Sequence, residues 1–467
     1  MKIRLAFLAT LMAFPANAAD TLTLGQYLAQ VKKGNTGYSG SAAAASGAVL
    51  RAQEGAIQFS PALFGTEQLT VDNSPKAAPI FQGSSSTANS YSLGVQKLWD
   101  FGLTSKISYS LAFTSIQGAP LLPLASFYDA RPLLELSLPV WGNGFGRTAL
   151  AQAELIEASA KATSSRESYN AQRALASAEA AYWRLSVARD VLEVEKANSE
   201  RAQKQKEWSA RRSRLRLADD SDTFQADALL KLRRIEFQSG VDEERASAYA
   251  FNSARGQQGM KVDEKVQRLS EILAETLTAP DRKGRRQDVE AAFQQTRASE
   301  ANAQISVERG TPNLEVYSTL SLNGKRGAAR DSVSDSFRAS QDAAAIGVRF
   351  VVPLEFGALR QVKAGYLQEI DANHSKFARQ VFEEEFQWQD LTARFQEARH
   401  RLTLASEVER IQKTKYEYER ERQHRGKSTT FVVLQFEQDY ATAQVSRIRQ
   451  AAEILNLIAE MKLYEGV

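Results

Sequence analysis

The sequence predicts an α+β protein that combines amphipathic β-strands of the membrane-barrel kind with very long coiled-coil helices. Three observations carry this prediction. Two very long stretches are almost free of glycine and proline, shorter segments alternate apolar and polar residues with period two, and this order of segments occurs twice. A soluble sandwich gives the same alternation, but with many more strands and without such helices beside them, so the combination favours a barrel.

The composition removes several classes of function. The 467 residues include no cysteine and only three histidines, which excludes disulfide frameworks, thiol nucleophiles and histidine-rich metal centres. The 59 Lys and Arg residues and the 55 Asp and Glu residues are interspersed, as on solvated helices. We therefore expect no metal, no cofactor, no enzymatic activity and no nucleic-acid partner.

The first residues have the pattern of a secretory signal peptide. Lys2 and Arg4 precede an apolar run, and the run ends in an A-x-A site at residues 16–18. The sequence therefore predicts a signal peptide over residues 1–18, with cleavage after Ala18. The apolar run is too short to cross a bilayer as a helix.

Two stretches predict helices far longer than those of globular domains. Residues 147–217 contain neither proline nor glycine, and residues 358–422 contain only Gly365. Apolar residues recur in both stretches at coiled-coil spacing: Ala171, Leu175, Ala178, Tyr182, Leu185 and Leu192 in the first, and Leu391, Phe395, Ala398 and Leu402 in the second.

The alternating segments predict strands with one apolar and one polar face. Two of them contain Ile107 to Phe113 and Leu134 to Leu138, and two more contain Leu314 to Leu322 and Ile346 to Val352. In a barrel the polar side chains face an aqueous interior; examples are Ser108, Ser110, Glu135, Thr319 and Arg349.

The chain repeats itself. Phe145-Gly146 corresponds to Phe356-Gly357, and Asp222 corresponds to Val432, so the two echoes lie 211 and 210 residues apart. The two long helices are therefore expected to have equal lengths. The first half holds an additional hairpin within Ser90 to Phe113, and each chain supplies either four or six strands.

Five segments, in this order and spacing, resemble the TolC-like outer-membrane efflux protein family. They are Leu22–Leu28, Leu136–Arg147, Ala180–Leu185, Ser221–Asp227 and Asn313–Leu322. They are similar to the family's first helix, its strand-to-helix junction, a mid-helix segment, a helix tip and the beginning of the second strand group. The resemblance covers nearly the whole chain after the signal peptide.

This resemblance implies a homotrimer that forms one shared β-barrel in the outer membrane, continued into the periplasm by a helical coiled-coil tube. It also implies a division of the chain. That division is an N-terminal periplasmic helix at 19–59, first barrel strands with the extra hairpin at 60–146, a first long helix pair at 147–256, an equatorial segment and helix at 257–310, second barrel strands at 311–357, and a second long helix pair at 358–467.

By the same resemblance, two helix-helix turns constrict the pore and contact a periplasmic adaptor. The expected constriction residues are Asp219, Asp220, Asp222, Asp227, Ser428 and Gln435, and the expected adaptor contacts are Leu217, Ala218, Arg425, Gly426 and Lys427. Asp222 falls where well-studied members carry a gate aspartate, whereas Val432, Gln435 and Ser428 depart from those members. A role for Asp222 as a helix N-cap fits its sequence context equally well.

The implied function is that of the exit duct of a tripartite efflux or type I secretion system, exporting small molecules or proteins. The implied partners are a periplasmic adaptor, an inner-membrane transporter and outer-membrane lipid. A non-transporting envelope scaffold built on a TolC-like tube is the alternative, because the second tip lacks the family's acidic residues.

Overall fold

The computed structural model describes residues 21–216, 219–269 and 277–465. The expected signal peptide, and Leu217 and Ala218 among the expected adaptor contacts, lie outside these ranges. The chain divides into two compact units. We call them the helical unit, which comprises the chain up to Ala44 with Glu167–Gln287 and Phe382–Val467, and the sheet unit, which comprises Ala45–Arg166 and Asp288–Val381.

Ten helices are found in the described part of the chain, and four of them are long. The helices are α1 Leu24–Gly34, α2 Thr36–Arg51, α3 Glu54–Ile57, α4 Pro79–Gln82, α5 Arg147–Arg214, α6 Asp220–Ala254, α7 Gln287–Arg309, α8 Ala329–Asp335, α9 Phe356–His424 and α10 Thr430–Met461. The equal lengths expected from the repeat are confirmed, since α5 has 68 residues and α9 has 69. None of the described helices is both long and apolar enough to cross a membrane.

The N-terminal segment differs from the single helix that we expected over 19–59. It forms α1, α2 and α3. The Thr23 hydroxyl oxygen caps α1 by accepting a hydrogen bond from the backbone N–H of Gln26, and the Gln26 side-chain oxygen accepts one from the backbone N–H of Thr23. The helix then stops because Asn35 has an extended backbone, with φ −81° and ψ 110°.

The helical unit is held together by the apolar stripes of its long helices. The expected positions of α9 are buried in this core, as are Ala178, Tyr182 and Leu185 of α5, whereas Leu175 and Leu192 of α5 are only partly buried. Helices α1, α6 and α10 contribute further side chains. The largest fully buried members include Tyr27, Tyr182, Leu185, Phe251, Phe395 and Ile454. Each such side chain stabilises the unit by about 2 kcal/mol.

The sheet unit contains one antiparallel sheet. Its strands are β1 Ala62–Asp72, β2 Ser85–Leu98, β3 Thr104–Gln117, β4 Ser126–Trp141, β5 Asn313–Leu322, β6 Gly324–Arg326 and β7 Asp342–Val351. The strand order is β1-β2-β3-β4-β5-β7, and the short β6 pairs with β4. The additional hairpin is β2-β3, joined at Trp99 to Leu103. The sequence left the number of long strands per chain at four or six, and the described residues form six.

The chain passes from β4 into α5 through a tight turn. Asn143 has a left-handed backbone, with φ 55°. Its side-chain oxygen accepts a hydrogen bond from the backbone N–H of Thr148 at 2.8 Å, and its own N–H donates to Glu308 at 2.9 Å. Asn143 therefore caps the first turn of α5, and Glu308 on α7 fixes the turn. Gly146 tolerates its φ of 78° because it has no Cβ.

Candidate functional site

One face of the sheet is polar across all six long strands. Residues that are partners in the antiparallel register lie on the same face, so the pairing assigns every side chain to one side. The polar side includes Thr66, Gln68, Ser90, Ser92, Lys106, Ser108, Ser110, Glu135, Thr319 and Arg349. The five polar residues expected to line an interior therefore do share one face.

Cross-strand ion pairs stabilise this polar face. Lys106 lies opposite Glu135 in the register, with 2.7 Å between the ammonium nitrogen and a carboxylate oxygen. Arg349 lies opposite Glu315 in the same way, at 3.3 Å. Opposite charges in directly facing positions favour this register over a shifted one. These ion pairs therefore keep the face hydrophilic and help to specify the strand register.

The other face of the sheet is apolar and largely exposed. Its exposed side chains are Leu63, Leu69, Val71, Tyr91, Leu93, Val95, Ile107, Phe113, Leu320, Ile346, Val348 and Phe350. Ile346 is 80% exposed and Val348 is 63% exposed, although both are apolar. A contiguous apolar surface of this extent marks contact with a membrane or with another protein.

The chain itself covers a small part of the apolar face. The hydroxyls of Tyr109 and Ser336 are hydrogen bonded at 3.1 Å, and the rings of Tyr109 and Phe337 stack at 5.9 Å. The hydroxyl of Ser332, which lies on α8, donates to the backbone oxygen of Tyr128 at 2.9 Å. The segment between β5 and β7 therefore covers the middle of β3 and the beginning of β4, while the rest of the apolar face stays open.

The sheet has two open edges. In the strand order, β1 and β7 come first and last, and neither has a second partner strand among the described residues. Each edge strand exposes unpaired backbone N–H and C=O groups, which favour pairing with a further strand. Such groups cost several kcal/mol each in lipid, so a sheet with an apolar face and open edges requires closure there.

The first tip comprises the turn between α5 and α6 together with the first turns of α6. It contains four of the expected constriction residues, which are Asp219, Asp220, Asp222 and Asp227. Asp219 is the N-cap of α6, because its carboxylate accepts a hydrogen bond from the backbone N–H of Ser221 at 2.9 Å. Asp220 is the first residue of α6, and its carboxylate accepts a hydrogen bond from the hydroxyl of Ser213. Acidic residues here complement the positive end of the α6 dipole, and Arg211, Arg212 and Arg214 complement the negative end of α5.

Asp222 is not the N-cap that its sequence context also allowed. It is the third residue of α6, one turn beyond Asp219, and it is partly exposed. Its side chain makes no ion pair or side-chain hydrogen bond within the described ranges. The structure thus rules out one of the two roles and leaves this carboxylate available to solvent.

Asp227 lies in a different environment from the other acids of the first tip. Its two carboxylate oxygens pair with Lys206 of α5 at 2.6 Å and with Lys231 of α6 at 3.2 Å. Hydrogen bonds from Lys206 and then Lys231 lower the pKa of Asp227. Its charge is therefore balanced within the chain.

The second tip is the turn between α9 and α10. Gly426, two residues after the end of α9, has a φ of 73°. Its N–H donates to the backbone oxygen of Gln423, and the N–H of Lys427 donates to the backbone oxygen of Arg422. Thr429 is the N-cap of α10. The expected residues Arg425, Lys427 and Gln435 are exposed, whereas the Ser428 hydroxyl oxygen is buried without a partner among the described residues.

The two tips lie side by side in the helical unit. The rings of Trp208 on α5 and His424 on α9 meet edge to face at 6.2 Å. The amide of Gln205 donates to Gln423 at 3.3 Å, and Ala202, Leu230 and Leu434 share one apolar cluster. The helices that carry the expected constriction residues of the two halves therefore pack against each other.

A buried ion-pair network was missed from the sequence. Arg233 on α6 contacts Glu437 on α10 at 3.1 Å and Glu236 at 2.6 Å, and both Arg233 and Glu437 are buried. Arg201 on α5 lies 3.6 Å from Glu437. The only available signal was that Glu437 occupies the repeat position of Asp227.

Glu195 on α5 lies at the margin of this network. Burial raises the pKa of the Glu195 carboxyl, a hydrogen bond from Asn198 opposes that shift, and the charges of Glu236 and Glu437 add to it. The charge of Arg233 acts in the opposite direction. Loss of hydration, more than the neighbouring charges, therefore disfavours the ionised form of Glu195.

Comparison with known proteins shows what this fold is similar to. No family model and no curated protein sequence matches the chain. The outer-membrane channel OprN matches at 15% identity over 95% of this chain and 90% of its own, with a TM-score of 0.65. The outer membrane protein VceC of Vibrio cholerae matches at 15% identity, with coverages of 95% and 96% and a TM-score of 0.64.

A third solved structure agrees. The MtrE outer-membrane channel of Neisseria gonorrhoeae, in its open state, matches at 13% identity over 95% of this chain and 89% of its own, with a TM-score of 0.64. The chain therefore has the fold of outer-membrane channels, with an antiparallel sheet and long helix pairs. The resemblance to the TolC-like family is confirmed at the level of the fold.

Proposed function

We propose that the protein is an outer-membrane export channel that extends into the periplasm. One observation carries this proposal: a six-stranded sheet has a polar face, an exposed apolar face and two open edges. Lipid against the apolar face and water against the polar face satisfy both surfaces at once. Pairing of β1 of one copy with β7 of the next satisfies the edges.

Three copies, as in the expected homotrimer, give a barrel of eighteen strands. A strand spacing of about 4.8 Å and a tilt of about 40° give a backbone diameter of roughly 36 Å. Barrels of about this strand number enclose an aqueous channel. The lumen is then lined by the polar face, including the ion pairs of Lys106 and Arg349, and selects mainly by width and charge.

The membrane orientation of the sheet is tested by two adjacent substitutions on β7. Ile346→Arg puts a charge on the apolar face, and Ala345→Arg puts the same charge on the polar face. We expect Ile346→Arg to destabilise the assembled barrel by about 2 to 4 kcal/mol and Ala345→Arg to be tolerated. The heat-modifiable electrophoretic mobility of the protein in outer-membrane fractions measures barrel assembly in both variants. Equal tolerance contradicts lipid contact at this face.

Closure by copies of the chain is tested by cross-linking. The natural chain has no cysteine, so Thr66→Cys on β1 and Ala345→Cys on β7 introduce the only thiols. A flexible thiol cross-linker is expected to give a ladder that ends at three chains. Each single cysteine variant is the control and gives dimers at most. A double variant that yields only monomers refutes closure between β1 and β7.

We further propose that the two tips form the constriction, with Asp219, Asp220, Asp222, Ser428 and Gln435 nearest the pore. Asp222 is the acid whose carboxylate has no partner in the described chain, so three copies near one axis attract cations. Asp227 is expected to contribute least, because Lys206 and Lys231 balance its charge.

Single-channel recording in planar bilayers tests the constriction. Asp222→Ala is expected to lower cation selectivity and to change conductance, whereas Asp242→Ala, an exposed acid elsewhere on α6, is the control and leaves both unchanged. An Asp222→Ala channel identical to the wild type removes Asp222 from the constriction. Absence of any conductance in the wild type favours the scaffold alternative.

The exposed residues of the tips are proposed to contact a periplasmic adaptor that joins the channel to an inner-membrane transporter. Arg425, Gly426 and Lys427 lie on the exposed turn of the second tip, and the other two expected contacts, Leu217 and Ala218, lie outside the described residues. Lys427→Glu is expected to abolish co-purification of the adaptor. Lys376→Glu, an exposed lysine of α9 far along the helix, is the control. Retention of the adaptor by Lys427→Glu contradicts this contact.

A further inference from the structure

The helical unit contains a cavity of about 810 Å³ to which the channel function assigns no role. It lies between the middle of α5 and the last turns of α10, with further residues from α6 and α9 and from the segment before α7. Its volume is in the range of sites that hold small organic molecules. Small side chains leave this space open, because Ala180, Ala181, Ala452 and Ala459 line it.

The charged groups of the cavity are mainly positive. Arg173, Arg184 and Arg286 line it, and Glu460 is the one carboxylate among the lining residues that the structure describes. Arg184 is paired with Glu243 outside this cavity, at 2.9 Å. Arg173 is exposed and makes no ion pair within the described ranges. Arg173 therefore supplies a positive charge that no ion pair of the described chain balances, and this charge favours an anion.

Arg286 is held in place at the wall of the cavity. It is buried, its guanidinium donates to the hydroxyl of Tyr464 at 2.6 Å and to the side-chain oxygen of Gln387 at 2.8 Å, and it lies over the rings of Tyr169 and Tyr464. A guanidinium fixed in this way adds positive charge to the wall of the cavity without losing further side-chain entropy when an anion binds.

Trp183 supplies an independent observation. Its side chain lines the same cavity and the residue is only 4% exposed, yet its indole N–H has no acceptor among the described residues. Buried donors without a partner are rare in folded proteins. An acceptor atom on a bound molecule satisfies this N–H once the indole turns toward the cavity, because the nitrogen itself is buried.

A second cavity of similar size shows that the positive character is not general. That cavity, of about 910 Å³, lies between α5, α6 and α10 and is lined by Arg184, Arg233 and Arg449 together with Glu195, Glu236 and Glu243. Its positive and negative groups are equal in number. Of these two cavities, the Trp183 cavity alone has more arginines than carboxylates in its lining, together with an unsatisfied donor and apolar walls from Leu391 and Leu463.

We propose that the Trp183 cavity binds a small organic anion with an apolar ring or chain. The anionic group accepts hydrogen bonds from Trp183 and from the arginines, and the apolar part lies against the alanine and leucine side chains. Such binding does not require that the protein be a channel, so it stands or fails independently of conductance.

Equilibrium dialysis of the full-length protein in a neutral detergent tests the proposal with naphthalene-2-sulfonate as the probe. The uncharged naphthalene-2-sulfonamide is the matched ligand control, with the detergent present on both sides of the membrane. We expect saturable binding of one sulfonate per chain and at least tenfold weaker binding of the sulfonamide, because the arginines attract the charged form.

Two variants test the residues. Trp183→Phe keeps an aromatic ring and removes the N–H, and is expected to weaken sulfonate binding about tenfold. Arg173→Gln, at an exposed position that does not threaten folding, is expected to weaken binding about threefold and to reduce its salt dependence. Arg211→Gln, an exposed arginine of α5 outside the cavity, is the control and binds as the wild type does.

Four results overturn the proposal. The first three are the absence of saturable binding, equal affinity for the sulfonate and the sulfonamide, and wild-type affinity in both Trp183→Phe and Arg173→Gln. The fourth is a loss in Arg211→Gln as large as in Arg173→Gln, because the binding is then a general effect of surface charge.

Discussion

The two tips of the helical unit occupy equivalent positions in the repeat, yet they use different chemistry. Residues separated by 210 positions correspond, so Arg216 matches Gly426, Asp219 matches Thr429, and Asp227 matches Glu437. The backbone is conserved between the two: both corresponding residues at the helix end have a positive φ, and both Asp219 and Thr429 cap a helix. The two tips therefore share their backbone geometry, whereas their charges differ because the side chains at corresponding positions differ.

The acid that follows each cap shows the contrast most clearly. Asp227 pairs with two lysines at the surface, whereas Glu437 is 4% exposed and contacts Arg233 and Arg201. Water screens the first interaction and is excluded from the second. The ion pairs of Asp227 and Glu437 therefore occupy equivalent positions of the repeat but contribute unequally to the free energy of unfolding.

The largest effect is expected at Glu437. Glu437→Gln leaves Arg233 buried without its α10 partner, although Glu236 still contacts it, and we expect the free energy of unfolding to fall by about 3 kcal/mol. Urea unfolding of the detergent-solubilised protein, followed by helical circular dichroism, measures the change. A fall as small as that of a surface substitution contradicts the buried network.

The helix ends give the next largest effect, with opposite signs in the two tips. Gly426→Ala forces a Cβ into a left-handed backbone and is expected to destabilise the helical unit by about 1 to 2 kcal/mol. Arg216→Gly relieves the same strain at φ 54° and is expected to stabilise it. The same unfolding measurement compares them. Effects of equal sign argue against equivalent turns.

The N-caps are expected to contribute similarly to each other. Asp219→Ala and Thr429→Ala each remove a side-chain acceptor for a backbone N–H, and each is expected to cost about 1 kcal/mol. Asp222→Ala is the control, since Asp222 caps nothing in the structure. If Asp222→Ala costs more than Asp219→Ala, the cap is wrongly assigned.

A smaller, pH-dependent effect is expected at Glu195. Because burial raises the pKa of this carboxyl above its value in the unfolded chain, stability is retained below the unfolded value and is lost as the pH rises through the folded value. Glu195→Gln is therefore expected to be more stable than the wild type at neutral pH and equal to it at about pH 4. The melting temperatures of the wild type and Glu195→Gln across this pH range test the expectation. A difference between them that does not change with pH contradicts a raised pKa at Glu195.

The smallest effect is expected at Asp227. Asp227→Asn removes a partly exposed charge whose partners, Lys206 and Lys231, remain solvated without it. Unfolding in urea is expected to be unchanged within error. A loss comparable to that of Glu437→Gln removes the contrast between the two tips.

Local patterns in the sequence were sufficient for much of this architecture. The absence of glycine and proline predicts α5, and the heptads predict which side chains of α5 and α9 are buried, because helix formation and amphipathicity depend on near neighbours. Alternation with period two predicts the two faces of the sheet for the same reason. The repeat predicts the equal lengths of the long helices.

Other features were decided only by the tertiary structure. Asp219 rather than Asp222 caps α6, because the cap depends on where the chain turns, and several acids there are equally suitable by type. Glu437 is buried while Asp227 is not, because burial depends on the helices packed around each position. The Trp183 cavity is assembled from residues distant in sequence. Periodicity along one segment fixes which face is apolar, but only packing between segments fixes what that face meets.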